Sequence, residues 1–173
     1  MTAETKTKSR FTKWRSIAIE VLLFVVVVAG IRLWQQRDMV SGVAPVLQGV
    51  TLAGQSWQLP AHPGHPVLVH FWATWCPVCR AEQSSIADLA HGNHDVMTIA
   101  MQSGNPQQVV RYMKEQGTSF PVVNDTDGSI SNAWGVHAVP ASFIIAPDGK
   151  ISFVEVGYTT GIGLRLRLWW AGV

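Results

Sequence analysis

Charge is scarce in this chain. Asp, Glu, Lys and Arg make up only 14% of its 173 residues, whereas hydrophobic residues make up 47%. That excludes a disordered or low-complexity chain, which would be charge-rich and apolar-poor. Cysteine is scarce as well, at two residues, which excludes a disulfide-stapled miniprotein. A formal net charge of +2 is too small to indicate a nucleic-acid binder. Phosphate loops, dinucleotide fingerprints and internal repeats are absent from the sequence. The length suits one ordinary domain plus an appendage.

The small net charge hides an asymmetry. Residues 1–38 carry seven basic and three acidic side chains, and residues 39–173 carry six and eight. Within the basic end, Ile17 to Ile31 is apolar apart from Glu20 and a few small residues. Trp14 and Trp34 extend the run to a helix of about 31 Å at ~1.5 Å per residue, close to a hydrocarbon core of roughly 30 Å, with an indole at each interface. Five basic residues precede the run, and the positive-inside rule then puts the N-terminus in the cytoplasm. The expected organisation is a cytoplasmic basic tail at 1–15, a single-pass inner-membrane anchor at 16–34, a polar linker at 35–45 and an exported domain at 46–173. A cleaved signal peptide is the rival reading, with Gly42 and Ala44 at its cleavage site, although Pro45 would follow the cut. Both readings deliver the domain to an oxidising compartment such as the periplasm.

Along the exported part, Val50 to Leu59 reads as a hairpin turning near Gly54. Val67 to Phe71 is a buried strand. Pro77 to about Ala90 is a helix with Val78, Ala81, Ile86 and Leu89 inward. Asp95 to Met101 is a strand, and Asn105 caps a helix that starts at Pro106 and stops before Gly117. Phe120 to Val123 is a short strand, and Ser129 to Trp134 a helical turn or two. Ser142–Ile145 and Ile151–Val156 flank the hairpin signal Pro147-Asp-Gly149. Thr160 to Trp170 fits either a strand or a helix, and helix is favoured, with Ile162, Leu166, Trp169 and Trp170 on one face and the two tryptophans in the terminal core or facing a partner. This order gives an α/β domain with a mixed central sheet, helices on both faces and an N-terminal β-hairpin.

Both cysteines sit in Trp75-Cys76-Pro77-Val78-Cys79, where the buried strand hands over to a helix. At a helix N-terminus, unpaired N–H groups and the helix dipole favour a thiolate. They lower its pKa from about 8.5 toward about 3.5–7.5. Cys79, one turn further on, can resolve a mixed disulfide formed on Cys76. Pro77 at the first helical position loses no needed hydrogen bond. Half a zinc site is the competing reading, completed by His91 and His94. A helix over 77–90 would put His91 about 18 Å from Cys79, too far to share a metal. A purely structural disulfide would close a two-residue loop and constrain little. The pairs His62/His65 and His91/His94 suggest copper, but surface histidines are the favoured reading, and no metal or other cofactor is expected beyond the Cys76–Cys79 disulfide.

The segment Phe71-Trp-Ala-Thr-Trp-Cys-Pro-Val-Cys79 resembles the active site of thioredoxin-fold proteins. The preceding hairpin, Trp134-Gly-Val-His-Ala-Val-Pro140-Ala-Ser-Phe-Ile-Ile145 and Pro147-Asp-Gly-Lys150 resemble the membrane-anchored TlpA/ResA-like branch, nearest its ScsD-type (suppressor of copper sensitivity) members, over roughly residues 45–170. The resemblance implies a protein-disulfide oxidoreductase with Cys76 and Cys79 catalytic and Trp75, Pro77 and Val78 in support. It implies a cis Val139–Pro140 bond facing the disulfide, with Val139 and Pro140 binding substrate polypeptide as an added strand. Its implied partners are proteins with cysteines or disulfides and a membrane thiol-electron donor, and reduction is the favoured direction. Dithiol oxidation and non-enzymatic copper handling are the alternatives. Two positions depart from relatives. His70 stands where thioredoxins bury an Asp, so it either handles protons and charge for the cysteines or is a hydrogen-bonded core histidine. Ala141 stands where the cytochrome-c-maturation branch has Glu.

Overall fold

The computed structural model describes Trp14, Ile17, residues 19–28 and 30–31, Arg37 and residues 39–173. Packing separates the chain into two units, 1–37 and 38–173. In the first, residues 19–28 are helical and their side chains are exposed. Among the described residues no helix is long and apolar enough to cross a membrane. Residues 16, 18, 29 and 32–34 of the expected anchor lie outside the described residues, as do most of the basic tail and residues 35, 36 and 38 of the linker.

The second unit is built around a five-stranded sheet. Its elements in chain order are β1 (Gln48–Val50), β2 (Ser56–Gln58), β3 (Val67–Trp72), α1 (Pro77–Ala90), β4 (Asp95–Met101), α2 (Pro106–Glu115), β5 (Val122–Asp125), α3 (Ser129–Ala133), β6 (Ala141–Ile145), β7 (Ile151–Val156) and α4 (Gly161–Ala171). The strand order is β5-β4-β3-β6-β7, with β3, β4 and β5 parallel and β6 and β7 antiparallel. β1 and β2 form the separate N-terminal hairpin, with Gly49 opposite Trp57. Its strands begin earlier than Val50 to Leu59 suggested, because Thr51 to Gln55 form the turn.

Two successive crossovers, β3–α1–β4 and β4–α2–β5, step across the sheet in one direction. Right-handed connections therefore put α1 and α2 on the same face. Side-chain alternation along β3 agrees. Leu68 and Trp72 pack with Ile86 and Leu89 of α1, Val109 of α2 and Leu164 and Leu168 of α4. Val67, Val69 and Phe71 point to the other face, into a core with Leu47, Leu59, Trp134 and Phe143. The expected helices on both faces are thus unequal. Three longer helices cover one face, and only the one-turn α3 joins the N-terminal segment on the other.

Two helices are rotated from the expected faces. α1 buries Cys79, Glu82, Gln83, Ile86 and Leu89, while Val78 and Ala81 face solvent. Turning Cys79 inward, toward the sheet, fixes that rotation. α4 buries Leu164 and Leu168, and Trp169 and Trp170 are exposed rather than terminal core.

Candidate active site

The site forms where β3 ends. β3 is buried along its whole length, and the chain leaves it through Ala73-Thr-Trp75 to enter α1. Cys76 is the N-cap of α1, in extended backbone (φ −92°, ψ 110°), and Pro77 occupies the first turn. A cap residue must accept a hydrogen bond from an orphan N–H, ordinarily through a side-chain oxygen. Here a sulfur takes that place. The Cys79 amide N–H donates to Cys76 Sγ at 3.0 Å. The two cysteines are joined as a disulfide with Cα atoms 5.3 Å apart. Cys76 is 4% exposed and Cys79 1%, so the accessible edge of the bond belongs to Cys76. A thiolate on Cys76 would meet the same N–H group and the positive end of the helix dipole.

β6 supplies the opposite wall. It pairs antiparallel with β3, placing Ala141 opposite Phe71, so the residues just before β6 reach the strand end that carries Cys76. The Val139–Pro140 peptide bond is cis. Cys76 Sγ lies 3.6 Å from the Val139 carbonyl oxygen. The Pro140 carbonyl accepts from the Gly157 N–H at 2.8 Å, which ties this loop to the end of β7.

Trp75 forms the exposed rim. Its side of the site is held by the loop after β4. The Trp75 indole N–H donates to the Gln102 carbonyl at 3.2 Å. The Thr74 amide donates to Ser103 Oγ at 3.1 Å, and that hydroxyl donates to the Met101 carbonyl at 3.0 Å. Gln102 is the one non-glycine residue with positive φ (44°) among the described residues, a conformation side chains rarely adopt. Its amide is pinned to the Asp125 carbonyl at 2.8 Å. Trp75 is nevertheless 60% exposed, so the indole is held by a hydrogen bond more than by packing.

Two ionisable groups are buried on the face of the sheet that α1 covers. His70 is in β3, and its Nδ1 sits 2.9 Å from Ser142 Oγ, its register partner on β6. Burial pushes its pKa down to about 4, so the ring is neutral at pH 7. A neutral ring carries no charge with which to stabilise a Cys76 thiolate, and its hydrogen-bond partner is the Ser142 hydroxyl in the core. Glu82 was not anticipated. It lies one helical turn beyond Cys79 on the same buried face of α1, the spacing at which helix side chains are neighbours. Burial pushes its carboxyl up to about 7, only partly offset by the Thr159 N–H that donates to it. An acidic residue three places after Cys79 was visible in the sequence, but the helix face expected there did not include it.

The structure thus brings Cys76, Cys79, Val139 and Pro140 together with Trp75 at the rim, and Pro77 and Val78 lie exposed between the cysteines. The histidine pairs do not join them. The His62 ring contacts the Asp148 carbonyl at 3.1 Å, and His65 pairs with Asp95. Among the described residues, no three His, Cys, Asp or Glu side chains are grouped to hold a metal.

Residues 37–162 match the model of the Redoxin family. A thioredoxin-like protein of Haemophilus influenzae is 33% identical over 125 residues, covering 72% of each chain. Thiol-disulfide oxidoreductase ResA of Geobacillus thermodenitrificans is 30% identical over 132 residues, covering 75% of this chain and 76% of the relative. Among solved structures, a thiol:disulfide interchange protein of the thioredoxin family from Chlorobium tepidum superposes with a TM-score of 0.65 at 30% identity, covering 78% of this chain and 98% of its own. Sequence and fold therefore agree, and this chain belongs to the redoxin family as a thiol-disulfide oxidoreductase of thioredoxin-like fold.

Proposed function

We propose that the protein is tethered to the inner membrane, faces the periplasm and reduces disulfides in other proteins. The observation that carries the chemistry is the placement of Cys76 Sγ, capped by the Cys79 N–H and facing the Val139 carbonyl. In the reducing direction the Cys76 thiolate attacks one sulfur of a substrate disulfide. A Cys76–substrate disulfide forms and one substrate thiolate leaves. Cys79, as thiolate, then attacks Cys76 Sγ. The Cys76–Cys79 bond forms, the second substrate thiolate leaves, and two electrons have passed to the substrate. Cys79 must lose a proton for that step. Glu82, one turn along the same buried face with its pKa near neutrality, is the group placed to receive it. Val139, in the loop just before β6, offers backbone groups to which a substrate segment can add as a strand. A membrane thiol-electron donor then restores the dithiol. The apolar run at 17–31 with its basic flank supports the tether, and the TlpA/ResA-like resemblance supports the direction.

The tests separate chemistry from direction. In insulin reduction, Cys76→Ala abolishes turnover. Cys79→Ala stops after the first step and accumulates a mixed disulfide, seen as a dithiothreitol-sensitive adduct by mass spectrometry. Absence of that adduct removes the assigned order of attack. Equilibration of the Cys76/Cys79 pair with glutathione gives its potential. A value near −120 mV, typical of a strong oxidant, reverses the direction to dithiol oxidation.

A further inference from the structure

The C-terminal helix is apolar on two opposite sides. At about 100° per residue, Leu164, Leu168 and Ala171 fall together and face the core. Ile162, Leu166, Trp169 and Trp170 fall together on the far side, at spacings of four, three and one. They are 74%, 61%, 68% and 72% exposed. Val173, just beyond the helix, is more exposed still. A domain of this size rarely leaves so large a contiguous apolar stripe uncovered unless something binds it.

The composition of the helix indicates what covers it. α4 contains two arginines and no acidic residue. Arg167 is paired with Glu155 at 2.6 Å, and exposed Arg165 borders the stripe. Tryptophan, leucine and isoleucine on one face with arginine at its edge is the pattern of helices that lie in a lipid interface. A second copy of the chain is a poorer fit, because a two-fold contact through this face would oppose Arg165 to its own mate with only Asp88 of α1, which lines the same surface hollow, to offset it. The position also suits a surface. The end of α4 packs near Pro66, whose Cγ lies 3.1 Å from where a Cβ on Gly172 would stand. Pro66 precedes the first residue of β3, and the disulfide follows its last. Six strand residues span roughly 20 Å, so the Trp169–Trp170 end of α4 lies well away from the disulfide, and its first turn, after the Thr159 N–H that donates to Glu82, lies nearer to it.

We propose that the outer face of α4 is a membrane-docking surface that seats Ile162, Leu166, Trp169 and Trp170 in an anionic bilayer interface. This rests on the tether proposed above. A linker at 35–45 spans at most about 40 Å when extended, which keeps the domain beside the bilayer at high effective concentration, so weak interfacial affinity suffices.

The test uses the full chain in phosphatidylethanolamine/phosphatidylglycerol nanodiscs whose acyl chains are brominated near the headgroup, with tryptophan emission as readout. Trp14 and Trp34 report the tether, and Trp169 and Trp170 report α4. The double variant Trp169→Phe/Trp170→Phe, with insulin turnover unchanged as its folding control, is expected to lose roughly half of the quenchable emission, two of four interfacial indoles. Arg165→Glu is expected to reduce quenching in anionic discs and not in phosphatidylcholine discs. Quenchable emission equal in wild type and double variant overturns the docking while its residual quenching upholds the tether. If that residual is itself absent, the tether is what fails. Loss of the α4 signal accompanied by two chains cross-linked through α4 also overturns the docking, in favour of a second copy.

Discussion

Ser103 does more for the active-site turn than its size suggests. Its hydroxyl accepts from Thr74 N–H and donates to the Met101 carbonyl, so it fastens the residue two before Cys76 to the end of β4. Gln102, held at φ 44°, offers its carbonyl to Trp75 from the same loop. Non-glycine backbone at positive φ costs about 1–2 kcal/mol and persists where its surroundings hold it. Ser103→Ala is expected to destabilise the oxidised protein by about 1–2 kcal/mol, the cost of an unpaired, half-buried N–H, measured by denaturant unfolding. Trp75→Phe keeps a ring but loses the indole N–H. Its expected effect is a several-fold rise in KM for a protein disulfide with little change toward a small disulfide, because the rim is lost and the sulfur chemistry is not. Equal effects on both substrates would show that Trp75 acts on the cysteines themselves. The sequence placed Trp75 beside the disulfide but carried no sign of its partners, since a serine and a glutamine some 27 residues away come near only once β3 and β4 pair.

At the scale of elements, legibility followed local chemistry. The Asn105-Pro106 start of α2 was readable because capping is local. Asn105 Oδ1 accepts from Gln108 N–H at 2.9 Å, and Asn105 N–H donates to Gln108 Oε1 at 2.8 Å. Asn105→Ala is expected to cost about 1 kcal/mol and lower the unfolding midpoint, with insulin turnover per folded molecule unchanged. The Pro147-Asp-Gly149 turn was readable for the same reason. Gly149 sits at φ 82°, and a Cβ there would run into the Ala61 carbonyl. The disulfide motif at the strand-to-helix junction was likewise legible from order alone. Helix faces were not. In α1 several registers present apolar side chains, and the one adopted is decided by Cys79 turning inward, which brings Glu82 and Gln83 into the core with it. In α4 both sides are apolar, so hydrophobicity could not say which one meets the sheet. β5 begins two residues later than Phe120 suggested, because its ladder starts where Val122 meets Thr98, a long-range pairing with no local signal.

For the whole molecule, buried His70 and Glu82 give pH dependences of opposite sign. His70 titrates near 4 in the folded protein and near 6.5 when unfolded. Between those values the unfolded chain binds more protons, so stability falls as pH drops from about 6.5 to 4. Glu82 titrates near 7 when folded and near 4.5 when unfolded. There the folded chain binds more protons, so stability rises as pH drops from about 7 to 4.5. Both shifts come chiefly from burial, and each corresponds to about 3 kcal/mol at ~1.4 kcal/mol per pH unit. Over the shared window the two contributions oppose one another, so each partly masks the other in the wild-type profile. Single variants unmask them. Relative to wild type, oxidised Glu82→Gln is expected to gain stability near pH 7.5 and lose that advantage by pH 4.5. Oxidised His70→Asn is expected to gain stability relative to wild type as pH falls from 6.5 to 4. The double variant should run parallel to wild type between pH 4.5 and 6.5. Guanidinium unfolding at half-unit pH steps measures all three, and single-variant curves parallel to wild type would mean that these side chains are not buried as ionisable groups. Such opposition lets the domain keep a near-neutral carboxyl one helical turn from Cys79 without becoming fragile over the mildly acidic range.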